Sequence, residues 1–205
     1  MANSNSQGFG LVAAARVGNT PAISGQSKYE IDAGSSSAIY NGEIVKVNIS
    51  ASTGGYIVTA AAGTAAVGVL NGVFYTDATT KKPTFANYYA GSITPANSED
   101  ITAFVNDDPN QSYIIATDAT LGSTLALRKS KIGLTYATTA AAGDTANGKS
   151  TIRLGISTAA TTAKQLRMMR IAEDVENQDQ TAANCSVVVK INLHQYTVGS
   201  LATGI

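Results

Sequence analysis

Apolar residues in this chain do not recur with the 3.6-residue period of a helix over any long stretch. They come in short runs rich in Val and Ile, each closed by Gly, Pro, Asp or Asn. Such runs bury themselves only by pairing with other extended runs, so the pattern predicts strands joined by turns. Glu43-Ile-Val-Lys-Val-Asn-Ile49 and Tyr56-Ile-Val-Thr59 flank Gly54-Gly55. Gly63 to Leu70 and Gly72 to Thr76 follow, with Asn71-Gly72 as a turn or bulge between them. Asp100 to Val105 and Ser112 to Thr117 flank Asp107-Asp108-Pro109-Asn110, where Pro presets φ and the Asp and Asn side chains bond nearby backbone. Thr151 to Ile156 alternates, and Val187 to His194 is the last clear run. Gln165 to Ala172 reads two ways. Lys164, Arg167 and Arg170 recur every third residue, as on a helix, while Leu166/Met168 and Met169/Ile171 fit a bulged strand.

The fold expected from this spacing is all-β, an antiparallel sandwich or barrel. Residues 1–25 are rich in Asn, Ser, Gly and Ala and read as an extended N-terminal arm. Residues 26–205 form the main β domain. A long loop or insertion is expected near 76–98, where Pro83 cannot donate to a ladder.

Composition removes several classes of function. Lys+Arg and Asp+Glu are 14 each, so the formal net charge is zero, which disfavours a nucleic-acid partner. One Cys and one His cannot build a disulfide framework or a His/Cys metal cage. No run approaches the length of a membrane span. Only 14% of residues are charged, and Ala, Thr, Gly and Ser supply 94 of the 205. A small-residue chain of low charge fits a β protein whose surface is partly covered by neighbours. The start, MANSNSQGFG, is polar and uncharged, and Arg16 closes the short apolar stretch Leu11–Ala15, so no export signal is read and synthesis in the cytoplasm is expected.

One enzyme pattern is complete. Gly143-Asp-Thr-Ala-Asn-Gly148-Lys149-Ser150 matches the phosphate-cradling loop, whose chemistry needs free backbone N–H groups, a strand before and a helix after. The stretch before it lacks β-branched bulk and the stretch after it has period 2, so a polar hairpin is expected and no cofactor. Cys185 and His194 would have to meet to make a nucleophile and base. Alternation puts them on opposite faces of one strand, as a buried thiol and a half-exposed His. The carboxylates Glu99-Asp100, Asp107-Asp108 and Glu173-Asp174/Glu176/Asp179 lack the alternation of a calcium loop and read as turns and solvated edges. No catalytic or metal site is expected.

Aromatic residues are uneven. Phe74, Tyr75, Phe85, Tyr88 and Tyr89 lie within 16 residues, interleaved with Lys81, Lys82 and Pro83. They read either as a patch that pins a long loop or as a protein contact, since Tyr and Phe are favoured in interface cores. Phe9, Leu11 and Val12 offer a small apolar anchor on the arm.

Gly18-Asn-Thr-Pro-Ala-Ile-Ser-Gly-Gln-Ser-Lys-Tyr29 resembles the start of a family of virion structural proteins of tailed bacteriophages, the marine and cyanophage type. Val67 to Asp77, Lys81 to Thr84, Asn87 to Tyr89, Ala103 to Asn110 and Val189 to Tyr196 resemble the same family. The resemblance implies a decoration, or cement, protein on the capsid surface. Its partners would be the major capsid protein lattice and its own copies, as a homo-oligomer such as a trimer, with no nucleic acid and no membrane. Phe9, Leu11, Val12, Phe74, Tyr75, Phe85, Tyr88 and Tyr89 are the expected capsid or subunit contacts. The alternative is a carbohydrate-binding module of a head fibre or tail that uses Tyr75, Tyr88 and Tyr89.

Overall fold

The short runs pair as expected, but among the described residues they build two large antiparallel sheets around two cores, with a separate two-stranded hairpin sheet beside them. The structure is a computed structural model that describes residue 3 and residues 7–17, 25–139, 143–177 and 179–197. The strands are β1 (Val12–Arg16), β2 (Ser27–Ile31), β3 (Ile44–Val47), β4 (Ile57–Thr59), β5 (Gly68–Thr76), β6 (Pro83–Ala86), β7 (Ile101–Asn106) and β8 (Gln111–Ala116). After the short helix α1 (Leu125–Lys129) come β9 (Thr135–Tyr136), β10 (Gly143–Asp144), β11 (Lys149–Ser150), β12 (Leu166–Ile171) and β13 (Ser186–Ile191). The first sheet runs β1-β8-β13-β12-β9. The second runs β2-β7-β5-β3-β4, with β6 on the free part of β5. The all-β antiparallel class is borne out.

Strand alternation explains the two cores. Ile44 belongs to the first core and its neighbour Val45 to the second. Ala66 and Val67 divide in the same way, as do Val69 and Leu70. The middle of the second sheet is therefore a wall with apolar residues on both faces. On one face it meets Tyr113, Ile115, Leu166, Met168, Val187 and Val189 of the first sheet. On the other it is closed by loop residues, chiefly Ile39 and Tyr89, whose backbones bond each other reciprocally at 2.9 Å. The segment near 76–98 thus carries β6 and supplies part of the lid of the second core.

Two bulges shape the faces. The Asn71-Gly72 step is a bulge inside one long strand, with the register shifting between Leu70 and Gly72. The ambiguous segment 165–172 is a strand with a bulge between Met168 and Arg170. The extra residue leaves Arg167, Met169 and Arg170 all exposed, which produced the helix-like spacing of cations. Thr151 to Ile156 is corrected. It alternates, and Ile152, Leu154 and Ile156 are all buried in the first core, but it forms only isolated bridges from Leu154 to Thr117 and Thr138. Burial enforced the alternation there without a ladder. Of residues 1–25, Val12–Arg16 form β1 on the edge of the first sheet and Leu11 is buried in its core. Residues 1–2, 4–6 and 18–24 lie outside the described residues.

Candidate functional site

The Gly143–Ser150 pattern is a hairpin, with Gly143 opposite Ser150 and Asp144 opposite Lys149. Its donors are already used. Ala146 N donates to Asp144 Oδ1 at 2.9 Å, Gly148 N to Asp144 O at 2.8 Å and Lys149 N to Asn147 Oδ1 at 2.8 Å. A phosphate would meet the Asp144 carboxylate instead of a ring of free N–H groups, and no helix follows. The hairpin has a packing role. Gly148 sits at φ +69°, and a Cβ there would lie 2.5 Å from Cδ1 of Tyr88. Tyr88 in turn stacks on Tyr40, with ring centroids 5.4 Å apart.

Cys185 is fully buried in the first core, and burial pushes its thiol up to about 11. It is not a thiolate at neutral pH. His194 is corrected from half-exposed to 1% exposed, because it lies beyond the end of β13 rather than on its outer face. Its Nδ1 accepts from Tyr196 N at 3.2 Å, which leaves Nε2 to donate to Asp107 O at 3.1 Å. Burial holds the imidazole below its ordinary pKa. The same Asp107 accepts from Tyr29 OH at 2.8 Å, and Asp108 Oδ2 lies 2.7 Å from Arg16 Nε. That second contact is an ion pair rather than an aligned hydrogen bond. The β7–β8 turn is therefore a structural hub. Asp174 likewise serves its own loop, accepting from Asn177 Nδ2, Glu176 N and Ser186 Oγ. Among the described residues, no three His, Cys, Asp or Glu gather to hold a metal ion.

One carboxylate stands apart. Glu43 is 3% exposed. Its Oε2 accepts from Tyr40 N at 2.9 Å, and it borders a cavity of about 30 Å³ between Ile44, Ala60, Thr138 and Ile152. Burial pushes its pKa up to about 7 against these favourable bonds.

The candidate surface is aromatic. Phe74 and Phe85 face each other across β5 and β6, and Phe85 lies 5.9 Å from the ring of Phe104 on β7. Val73 points into the second core, so Phe74 points to the opposite face, which the first sheet covers at Val69 but not here. Phe74 is 39% and Phe85 62% exposed. Gly72, opposite Phe104, makes the room: a Cβ there would lie 2.7 Å from Cζ of Phe85. Lys28 and Glu30 on β2 flank the patch.

The expected contact residues divide. Val12, Phe74 and Phe85 are exposed, and Phe9, Tyr75 and Tyr88 are half-buried. Leu11 and Tyr89 are corrected to core residues, at 3% and 0% exposure. The Tyr89 hydroxyl donates to Ser35 O at 2.5 Å. Tyr75, Tyr88 and Tyr89 therefore share no open platform for a sugar, since Tyr75 packs on the second core and Tyr89 lies inside it. Phe104 was missed. Its signal was parity with Thr102 opposite Phe74, visible only once β7 is paired with β5. Comparison of the chain with protein-family models, with curated proteins and with solved structures gave no match in any of the three.

Proposed function

We propose that this chain is a non-enzymatic structural protein that decorates the outside of a tailed-phage head and stabilises it, acting there in several copies. The observation that carries this reading is the placement of three of the chain's four phenylalanines, Phe74, Phe85 and Phe104, on one uncovered sheet face. A β protein of this size has apolar positions enough inside; rings held at the surface by a bulge and a glycine suit docking. The resemblance of the sequence blocks to phage virion proteins names the lattice as the partner.

Each large aromatic side chain buries roughly 150–250 Å² when covered. A patch of three falls below the roughly 800 Å² per partner of a standard interface, so one contact is weak. Several copies held together on a repeating lattice gain by effective concentration. Binding to assembled heads but not to free capsid subunits stabilises the heads by linkage.

The test is Phe74→Ser with Phe85→Ser, added to heads assembled from the phage's own capsid protein. Both side chains are surface-exposed, so circular dichroism should be unchanged while occupancy falls at least about tenfold. Heads carrying the unaltered protein should release DNA at a higher temperature than bare heads. Unchanged occupancy of the double variant would overturn the contact, and identical release temperatures at full occupancy would overturn the stabilising role.

A further inference from the structure

We propose that His194 is a proton-operated clasp: while neutral it locks segment 193–197 across the seam between the two sheets, and in acid the protonated ring releases that segment. The segment leaves β13 of the first sheet and crosses to the second. Ala66 N donates to Leu193 O at 2.9 Å, and Gln195 N donates to Ala66 O at 2.8 Å. The Gln195 side chain then serves β3 as a strand would. Its Oε1 accepts from Val47 N at 2.7 Å and its Nε2 donates to Val47 O at 3.1 Å. Thr197 closes the turn, donating to His194 O from N at 3.2 Å and from Oγ1 at 3.0 Å. Ala66 belongs to the first core and Val67 to the second, so the clasp sits where the two cores meet.

The ring makes two bonds of opposite sense. Nε2 donates to Asp107 O at 3.1 Å, and Nδ1 accepts from Tyr196 N at 3.2 Å. Only the neutral ring with its proton on Nε2 satisfies both. An imidazolium carries a proton on each nitrogen, so Nδ1–H would confront Tyr196 N–H, donor against donor, in a site 1% exposed. The ring can take a proton only by giving up the Tyr196 bond. Turning out to water also gives up the Asp107 bond, and with it the anchorage of Leu193 and Gln195.

The surrounding charges set the sign. Burial disfavours the imidazolium and outweighs what favours it: the carbonyls of Asp107 and Val67 and the carboxylates of Asp107 and Asp108 on the β7–β8 turn. Asp108 is paired with Arg16 of β1, and Asp107 accepts from Tyr29 OH of β2. Tyr113 of β8 turns its hydroxyl to Asn106 O, and the Tyr196 ring lies 5.9 Å from the imidazole. Ala65, Ala66 and Val67 bring no charge. Above the ordinary 6.5 the ring is neutral whether the clasp is open or closed. Below it, the open segment takes up a proton that the closed one refuses. Closure then weakens by about tenfold for each pH unit, until the closed ring protonates as well. The clasp works in the free chain, so its failure would leave the lattice-binding result standing.

Nuclear magnetic resonance of the isotope-labelled full chain, titrated from about pH 8 to about pH 5, tests it. His194 is the one histidine of the chain, so its ring signals need no sorting. The ring should titrate with a midpoint below 6.5, and the Gln195 and Tyr196 amides should shift with it. Their hydrogen-exchange protection, corrected for the intrinsic pH dependence, should fall several-fold in acid, while that of Val189 within β13 holds. Glu43 titrates nearby in pH but with the opposite sign, destabilising the fold as pH rises, so it cannot imitate a loss in acid. His194→Asn keeps an acceptor for Tyr196 N, as in an Asx turn, and cannot be charged, so its acid loss should vanish. Asp107→Asn keeps an acceptor for Tyr29 OH and removes a charge that favours the imidazolium, so it should lower the ring's midpoint; it serves where His194→Asn misfolds. A midpoint at or above 6.5, amides that do not follow the ring, an acid loss that persists in His194→Asn, or a midpoint that Asp107→Asn leaves unmoved or raises would each overturn the proposal.

Discussion

Replacing Glu43 by Gln should raise the stability of this protein at neutral and alkaline pH and do little in acid. Glu43 is buried beside the cavity at the junction of β3 with the 60–62 and 138–139 segments. Its pKa is pushed from the ordinary 4.5 up to about 7. Below the unfolded value of 4.5 the carboxyl is protonated in both states and has no effect on the balance. Between about 4.5 and 7 the folded chain keeps a proton that the unfolded chain releases, so stability falls as pH rises. Above about 7 the loss is complete. At about 1.4 kcal/mol for each factor of ten, the ionised group costs the fold about 3 kcal/mol. Gln keeps the acceptor for Tyr40 N and never ionises. Its amide N–H group must find a partner among the hydroxyls of Thr59 and Thr138, so the net gain at pH 8 should be about 1–3 kcal/mol. For a domain of this size that is about 2–12 °C in Tm. The chain has no Trp, so urea unfolding is followed by circular dichroism from pH 4 to pH 8. The quantity to read is the difference between variant and unaltered protein at each pH, in which His194 and the other carboxylates cancel. A difference that grows from near zero in acid to a plateau above about pH 7 supports the mechanism. A difference that is flat across the range, or that favours the unaltered protein in alkali, would refute it.

Tyr89→Ala should destabilise the chain by about 3–5 kcal/mol, as for other large buried aromatic residues, because the ring fills the second core; a urea midpoint implying less than about 1 kcal/mol would show that the lid carries no load. Gly148→Ala should cost about 1–3 kcal/mol, through its φ of +69° and the close approach of Tyr88, while Lys149→Ala should change stability by under about 0.5 kcal/mol. Thermal melts of that pair check both, and equal effects would sink the reading of the loop as a packing hairpin.

Much of the fold was legible without coordinates because burial is local in a strand. The runs at 43–49 and 56–59 contain a strand and those at 100–105, 112–117 and 187–194 overlap one to within a residue at one end, since Val and Ile alternating with smaller or polar residues suit a half-buried pleat. The hairpin at 143–150 was legible from its flanks, which lack a β-branched strand before it and a helical period after it; the bonds of Asp144 to Ala146 N and Asn147 Nδ2 that close it came only with the tertiary structure. β2 and β6 escaped because Ser27–Ile31 and Pro83–Ala86 are short edge strands with exposed polar positions, held by β7 and β5 rather than by their own pattern. The fate of each aromatic residue lay beyond the sequence altogether. Phe74, Tyr75, Phe85, Tyr88 and Tyr89 are alike in local composition, yet Tyr89 is sealed in a core and Phe85 stands in solvent. Local pattern sets which residues alternate, but only the pairing of β5 with β6 and β7, and the limited reach of the first sheet over the second, decides which face of the alternation is covered.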